Sequence, residues 1–296
     1  MQYRSLGRSG LSVSVIGFGC MSLGGDEQSA ARLIHGALDR GINFFDTADL
    51  YEKGLNEERV GRILHGKREQ VILSTKVGNQ WRADGNGWDW NPRKEYIIQA
   101  VEGSLKRLRT DRIDLYQLHG GTVEDPIDEI IAAFEHLQQQ GKIRYYGLSS
   151  IRPNVIREYV RRSRIVCVMM QYSLLDRRPE ESCLGLLEEA GIGVLARGIL
   201  AKGLLIDKPA ISYLNHSAKE VEQAAARVKQ VAGMTRSPAQ TVIDLILDHP
   251  AISSAVVGLR AMEQLEDVTK EIVPLSENER NWLWKTVPAS RYEEHR

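Results

Sequence analysis

Eight short apolar runs alternate with longer amphipathic stretches along this chain, and that alternation restricts the folds open to it more than any other feature. The runs are Val15-Ile16-Gly17-Phe18, Ile42-Asn43-Phe44-Phe45, Val71-Ile72-Leu73, Ile113 to Leu118, Tyr145-Tyr146-Gly147-Leu148, Val166 to Met170, Val194-Leu195-Ala196 and Ala255-Val256-Val257. Short continuous apolar runs suit strands buried on both faces. Between them the spacing turns helical. Ile127, Ile130, Ile131, Phe134 and Leu137 share one helical face after Asp125-Pro126. Asp125 is the expected N-cap, Pro126 suits the first turn, and Gly141 can end the helix. Ile97, Ile98, Val101, Leu105 and Leu108 repeat the pattern, and Ser237-Pro238 opens another helix carrying Val242, Leu245 and Ile246.

Eight strand–helix units predict an α/β fold, a closed (β/α)8 TIM barrel, with a short N-terminal β-hairpin over Leu6 to Ser14. An open doubly wound sheet uses the same local units. The length of 296 residues and the lack of a Gly/Pro/Ser-rich linker favour closure and one barrel domain over residues 1–296.

Lys plus Arg and Asp plus Glu balance at 39 each, so no net field recruits nucleic acid or an anionic membrane. No apolar run reaches the roughly 18 residues of a membrane span, and the N-terminus lacks a signal-peptide pattern. Cys20, Cys167 and Cys183 are widely separated, as reduced thiols are. A cytoplasmic location is expected. Neither Cys nor His shows metal-ligand spacing, so no metal site is expected.

Three apolar runs end in ionisable side chains. Phe44-Phe45 runs into Asp46, with Tyr51 one short loop later; Val71 to Thr75 runs into Lys76; Ile113 to Leu118 runs into His119. Singly, each has an ordinary explanation: a packed Tyr, a solvated Lys, a structural His. Together, at strand ends on the catalytic face of a barrel, they form a proton-donating site. Reducing a carbonyl needs hydride at carbon and a proton at oxygen. A phenol, with an ordinary pKa of about 10, is a reluctant acid, and an ammonium beside it stabilises the phenolate. Lys76 is the candidate ammonium, Asp46 its counter-charge, and His119 a donor that can orient the carbonyl oxygen.

Other segments carry weaker signals. Gly17 to Ser22 forms a GxGxxS fragment that reads as a close-packed strand end. Val257-Gly258-Leu259-Arg260 precedes a helical stretch from Met262 to Asp267, a phosphate site by position, with Arg260 as the guanidinium fork or as an ordinary surface Arg. Asn79 to Trp90 is read as a loop, in which Trp81, Trp88 and Trp90 either wall an apolar substrate site or anchor the loop to the barrel rim. Residues 206–217 form a polar connector. The tail from Arg291 to Arg296 either covers the mouth of the site or follows a last helix packed on the barrel exterior.

The stretches Gly41 to Tyr51, Ser74-Thr75-Lys76 and Ile113 to His119 resemble the aldo-keto reductase superfamily over essentially the whole chain, nearest its bacterial members and similar also to potassium-channel β subunits. The resemblance implies an NADPH-dependent barrel reductase whose catalytic residues match Asp46, Tyr51, Lys76 and His119. It also implies that Ser149, Ser150 and Gln171 hold the nicotinamide carboxamide, with Ser150 where Asn is common. Arg197 falls at the place of a ring-stacking aromatic residue, where its planar guanidinium can stack. Gly198 and Leu200 match positions along the pyrophosphate, and Gly258, Arg260 and Gln264 match the adenosine-phosphate end. Val268 falls where an adenine-binding Asn is common. Arg260 favours NADPH over NADH.

The leading expectation is an NADPH-dependent carbonyl reductase acting on a small-molecule aldehyde or ketone, as a monomer or homodimer, without nucleic-acid or membrane partners. An NADPH-binding, redox-sensing accessory subunit with slow turnover is the alternative. A Schiff-base aldolase using Lys76 is a third reading.

Overall fold

The computed structural model describes residues 1–271 and 273–296. Its first hairpin pairs β1 (Tyr3–Ser5) with β2 (Ser12–Ser14), antiparallel, so the expected hairpin begins three residues earlier and Leu6 to Leu11 form its turn. The strands and helices that follow are β3 (Ile16–Gly19), α1 (Glu27–Asp39), β4 (Phe44–Asp46), α2 (Leu55–Ile63) and β5 (Ile72–Val77). A second hairpin, β6 (Asn79–Trp81) with β7 (Trp88–Trp90), replaces the expected loop. Next come α3 (Lys94–Leu108), β8 (Ile113–Leu118), α4 (Ile127–Gln139), β9 (Ile143–Ser149), α5 (Pro153–Arg162), β10 (Cys167–Gln171), α6 (Cys183–Glu189) and β11 (Gly193–Arg197). The chain ends with α7 (Ala218–Ala232), α8 (Pro238–Leu247), β12 (Ile252–Val257), α9 (Met262–Thr269) and α10 (Glu277–Trp284).

Eight parallel strands close into a barrel in the order β3-β4-β5-β8-β9-β10-β11-β12, with β12 pairing back onto β3 through Ala255 opposite Ile16. This is the (β/α)8 barrel that the alternation predicts. All eight apolar runs fall on its strands. The outer core lies between strands and helices, where Ile97, Val101, Ile130, Phe134 and Val242 point inward from their helices. A separate cluster fills the barrel axis. Leu6, Leu11 and Val13 of the N-terminal hairpin plug its lower end against Phe44, Ile72, Leu115, Met169 and Leu195. The hairpin is thus a stopper, and it sits at the end opposite the candidate site.

Local chemistry sets the helix ends. Ser237 caps α8 in a reciprocal box with Gln240, and Pro238 stands in the first turn. Gly141, at φ +73, follows α4 in the left-handed conformation expected of a terminating glycine. Asp125 does not cap α4. Its carboxylate is taken by Trp90 Nε1 at 3.0 Å and Thr122 N at 2.7 Å, and Pro126 occupies the cap position. α10 lies outside the barrel with Trp284 stacked on Tyr172. The tail is held there too: Tyr292 N donates to Glu181, and Asn154 N donates to the carbonyl of His295. Among the described residues, no helix is long and apolar enough to cross a membrane, and no group of His, Cys, Asp and Glu is arranged to hold a metal ion.

Candidate active site

Side chains on a strand alternate between faces, so residues two apart share one. Phe44, Ile72, Leu115, Met169 and Leu195 fill the barrel axis. One step of two residues upward on the same strands are Asp46, Ser74, Gln117, Gln171 and Arg197; a further step reaches Lys76 on β5 and His119 just past the end of β8. The inward row therefore changes from apolar to polar at one level, at the C-terminal ends of the strands. A cleft of about 1280 Å³ opens there, lined by Asp46, Tyr51, Lys76 and His119 among others.

Asp46 and Lys76 form a buried ion pair, Nζ to Oδ2 at 2.5 Å, with side chains 6 % and 1 % exposed. Lys76 Nζ also donates to the Thr47 carbonyl at 2.7 Å and lies 3.4 Å from the Tyr51 hydroxyl. Asp46 Oδ1 accepts from Ser74 Oγ at 2.9 Å and from Gln117 Nε2 at 3.2 Å. Burial by itself would strip the Lys76 proton, but the Asp46 carboxylate and the Tyr51 hydroxyl outweigh it and hold the ammonium above its ordinary pKa. Burial pushes the Asp46 carboxyl up, against the opposing pull of Lys76 and Ser74.

Tyr51 and His119 meet edge to face with ring centroids 5.9 Å apart. Burial first, then the charges of Lys76 and Arg197, push the His119 imidazole down to about 3. It is therefore neutral at physiological pH, with one ring nitrogen donating and the other accepting. Its Nδ1 is buried without a partner inside the protein. The four residues thus converge into one cluster: a phenol beside a locked ammonium, faced by a neutral imidazole. Such a group can deliver a proton to an oxygen held between phenol and imidazole.

The remaining sequence-derived positions, Trp81 excepted, line the same cleft. Ser149, Ser150, Gln171, Arg197, Gly198 and Leu200 form one wall, and Gly258, Arg260 and Gln264 lie at its far end, with Val268 beside them. The polar set fits a nicotinamide dinucleotide. Two hydroxyls and the Gln171 amide complement a carboxamide, Gly198 at φ +68 keeps the backbone open where a Cβ would press on Gln171 Cγ at 3.2 Å, and Arg260 stands just ahead of α9. Gln264 Oε1 accepts from Arg260 N at 2.8 Å and shapes this turn. Ser22 Oγ lies 3.1 Å from both Gly19 O and Leu259 O, tying the GxGxxS strand end to the turn.

Trp88 and Trp90 also line the cleft, with Leu50 and Met21. Trp90 is wedged between glycines: a Cβ on Gly78 would come within 2.5 Å of its Cζ3, and one on Gly120 within 3.3 Å. Trp81 is not among the lining residues. Its indole donates to the Leu50 carbonyl at 3.1 Å, and Lys53 Nζ lies 5.1 Å from its ring centroid, an anchoring role.

Several site residues were not among the sequence-derived candidates. Ser74 and Gln117 bond Asp46, and their signal was parity: each is a polar residue on the inward face of a buried strand. Asp176 and Tyr213 bond Gln171, with Arg178 bonded to Asp176 behind it, and they left no such signal, because a turn and a distant connector bring them there.

Comparison with known proteins agrees with this arrangement. Residues 15–283 match the model of the Aldo/keto reductase family. The chain is 50% identical over 276 residues to the Bacillus subtilis oxidoreductase YqkF, covering 90% of each. It superposes on the holo form of the aldo-keto reductase AKR11C1 from Bacillus halodurans with a TM-score of 0.94 at 48% identity, covering 100% of this chain and 99% of that one. The glycerol dehydrogenase AKR11B4 from Gluconobacter oxydans superposes with a TM-score of 0.86 at 27% identity, covering 96% and 94%.

Proposed function

This chain belongs to the aldo/keto reductase family, an oxidoreductase family, and on that premise we propose that it reduces an aldehyde or ketone to the alcohol at the expense of NADPH, with Tyr51 giving the proton. The observation that carries the reading is Lys76 Nζ, placed between Asp46 at 2.5 Å and the Tyr51 hydroxyl at 3.4 Å, with His119 edge-on to the phenol. Tyr51 releases its proton to the carbonyl oxygen, and the Lys76 ammonium stabilises the phenolate left behind. Asp46 keeps that ammonium charged and fixed. His119, neutral, donates to the same oxygen and orients it without competing as an acid. A bound NADPH supplies the hydride. Ser149, Ser150 and Gln171 would hold its carboxamide, Arg197, Gly198 and Leu200 would bind its nicotinamide and pyrophosphate, and Gly258, Arg260 and Gln264 would take the adenosine phosphate. A fission-yeast relative, 36% identical over 205 residues, carries NADP(+) in its name, which supports the choice of cofactor. Trp88 and Trp90 present an apolar wall, which favours alkyl or aromatic carbonyl substrates.

An imine-forming role for Lys76 has no support, because such a lysine must shed its proton and Asp46 holds this one on. The test is Tyr51→Phe assayed on a panel of aldehydes and ketones with NADPH and NADH side by side. Turnover is expected to fall at least about a hundredfold while NADPH binding persists. Substantial residual reduction would remove the phenol from its role.

A further inference from the structure

Gln171 ends β10 with its amide committed at one end. Nε2 donates to Asp176 Oδ2 at 2.8 Å and to Tyr213 Oη at 3.2 Å. An amide nitrogen has two protons, so both are used inside the protein. Asp176 is wholly buried and gripped in a fork by Arg178, Nε to Oδ1 at 2.7 Å and Nη2 to Oδ2 at 2.8 Å. A carboxylate so held accepts and does not donate. The amide end that faces it must therefore be the nitrogen. Local structure puts Asp176 there: Ser173 and Asp176 exchange backbone hydrogen bonds at 3.2 and 3.0 Å, folding the chain back beside β10. What remains of the amide for the cleft is its carbonyl Oε1, with one long contact from Arg197 Nη1 at 3.4 Å.

We propose that Asp176, locked by Arg178, is a positioning residue for the cofactor: it fixes the Gln171 amide so that Oε1 faces the cleft and accepts an N–H from the carboxamide of a nicotinamide. The inference rests on the nicotinamide reading above and adds a direction to it. Ser149 and Ser150 are hydroxyl donors suited to the carboxamide oxygen, and Gln171 is the acceptor suited to its NH2. Without the Asp176 charge the amide can rotate by half a turn, and two N–H groups then oppose each other across the site.

The test compares binding to the intact chain of NADP+, of its 3-acetylpyridine analogue (a methyl replaces the amide NH2) and of 2′,5′-ADP, which lacks the nicotinamide. Quenching of the five tryptophans is the readout. The parent protein is expected to prefer NADP+ over the analogue. Asp176→Asn, which keeps the side-chain volume, is expected to bind NADP+ about tenfold more weakly, to lose the preference over the analogue, and to bind 2′,5′-ADP as before. Gln171→Leu is expected to do the same, with nothing further lost in the double variant. Arg178→Gln, at a partly exposed position, is expected to give a smaller loss in the same direction. Discrimination unchanged in both Asp176→Asn and Arg178→Gln would overturn the proposal. So would a parallel loss of 2′,5′-ADP binding, which would make Asp176 a scaffold residue. A parent protein that binds 2′,5′-ADP but shows no preference for the carboxamide would refute the direction assigned to Gln171 and leave the reductase reading standing. A parent protein that binds no NADP+ would bring down that reading as well.

Discussion

Replacing Lys76 by Met tests whether Asp46 is carried as a charge inside the barrel. Met preserves the length of the side chain and removes the ammonium. Nζ now lies 2.5 Å from Asp46 Oδ2 and 2.7 Å from the Thr47 carbonyl, with the pair almost wholly out of water. After substitution Asp46 keeps only neutral donors, Ser74 Oγ and Gln117 Nε2. Breaking a buried pair by removing one partner costs about 3–5 kcal/mol, a large part of the roughly 5–15 kcal/mol that holds a domain folded. The Thr47 carbonyl loses its donor, a further cost of about 1 kcal/mol. Adding Asp46→Asn removes the stranded charge, so the double variant is expected to recover most of the loss and remain about 1 kcal/mol below the parent. The penalty also depends on pH. Burial already raises the Asp46 carboxyl, and Lys76 is its largest opponent, so the single variant raises it further. A carboxyl raised in the folded state binds its proton more tightly there than in the unfolded chain. The penalty is therefore smallest below the unfolded value of about 4 and grows as pH climbs through the folded one. Urea unfolding of the three proteins at pH 5 and pH 8 measures this. A single variant within about 1 kcal/mol of the parent at pH 8 would refute the buried charge, and so would a double variant no more stable than the single one.

Two other outcomes are expected. The His119 imidazole, pushed down to about 3, should show no change in its 13C shifts between pH 5 and 8; a titration near the ordinary value of about 6.5 would contradict the neutral donor. Because its folded value lies below its unfolded one, the stability it contributes is present above about 6.5 and is lost as pH falls toward 3. Gly78→Ala places a methyl 2.5 Å from Trp90 Cζ3 at a φ of +125, which should cost roughly 1–3 kcal/mol, shift the tryptophan emission and raise KM for apolar aldehydes without changing NADPH affinity; unchanged KM and stability would show that Trp90 does not shape the substrate side.

The barrel was legible because its strands are buried on both faces and its helices on one, so both periods survive in the sequence as uninterrupted patterns. The Asp46, Tyr51, Lys76 and His119 cluster was legible for the same reason: an ionisable residue closing an apolar run has few places to go other than the strand ends. The β6–β7 hairpin was missed although Asp84-Gly85-Asn86-Gly87 supplied the turn chemistry, with Gly85 and Gly87 both at positive φ. Its strands have only three residues each, Asn79–Trp81 and Trp88–Trp90, too few for an alternation to stand out. Asp125 was misread because a capping carboxylate and a tertiary hydrogen-bond acceptor look identical in sequence, and here Trp90 competes for it successfully. Trp81 and Trp88 face each other in register across one hairpin, yet only Trp88 reaches the cleft. Paired residues share a face, so what separates them is how far across the hairpin the cleft reaches, which is set by docking and which local pattern does not carry. Asp176 and Tyr213 were out of reach because nothing near them in the chain records that they meet Gln171.

Apart from β3, which lies between β12 and β4, the ring of strands is divided into two contiguous arcs. β4, β5 and β8 carry the ion pair, the phenol loop and the imidazole, whereas β9 to β12 carry the wall with Gln171, Arg197 and the turn before α9. The tryptophan hairpin belongs to the first arc alone, inserted between β5 and α3. Residues 79–90 can therefore be exchanged or lengthened with no strand of the second arc rebuilt. In a closed ring of this kind, the choice of what enters the mouth and the grip on what lies along the far wall can drift separately over time, each on its own set of loops.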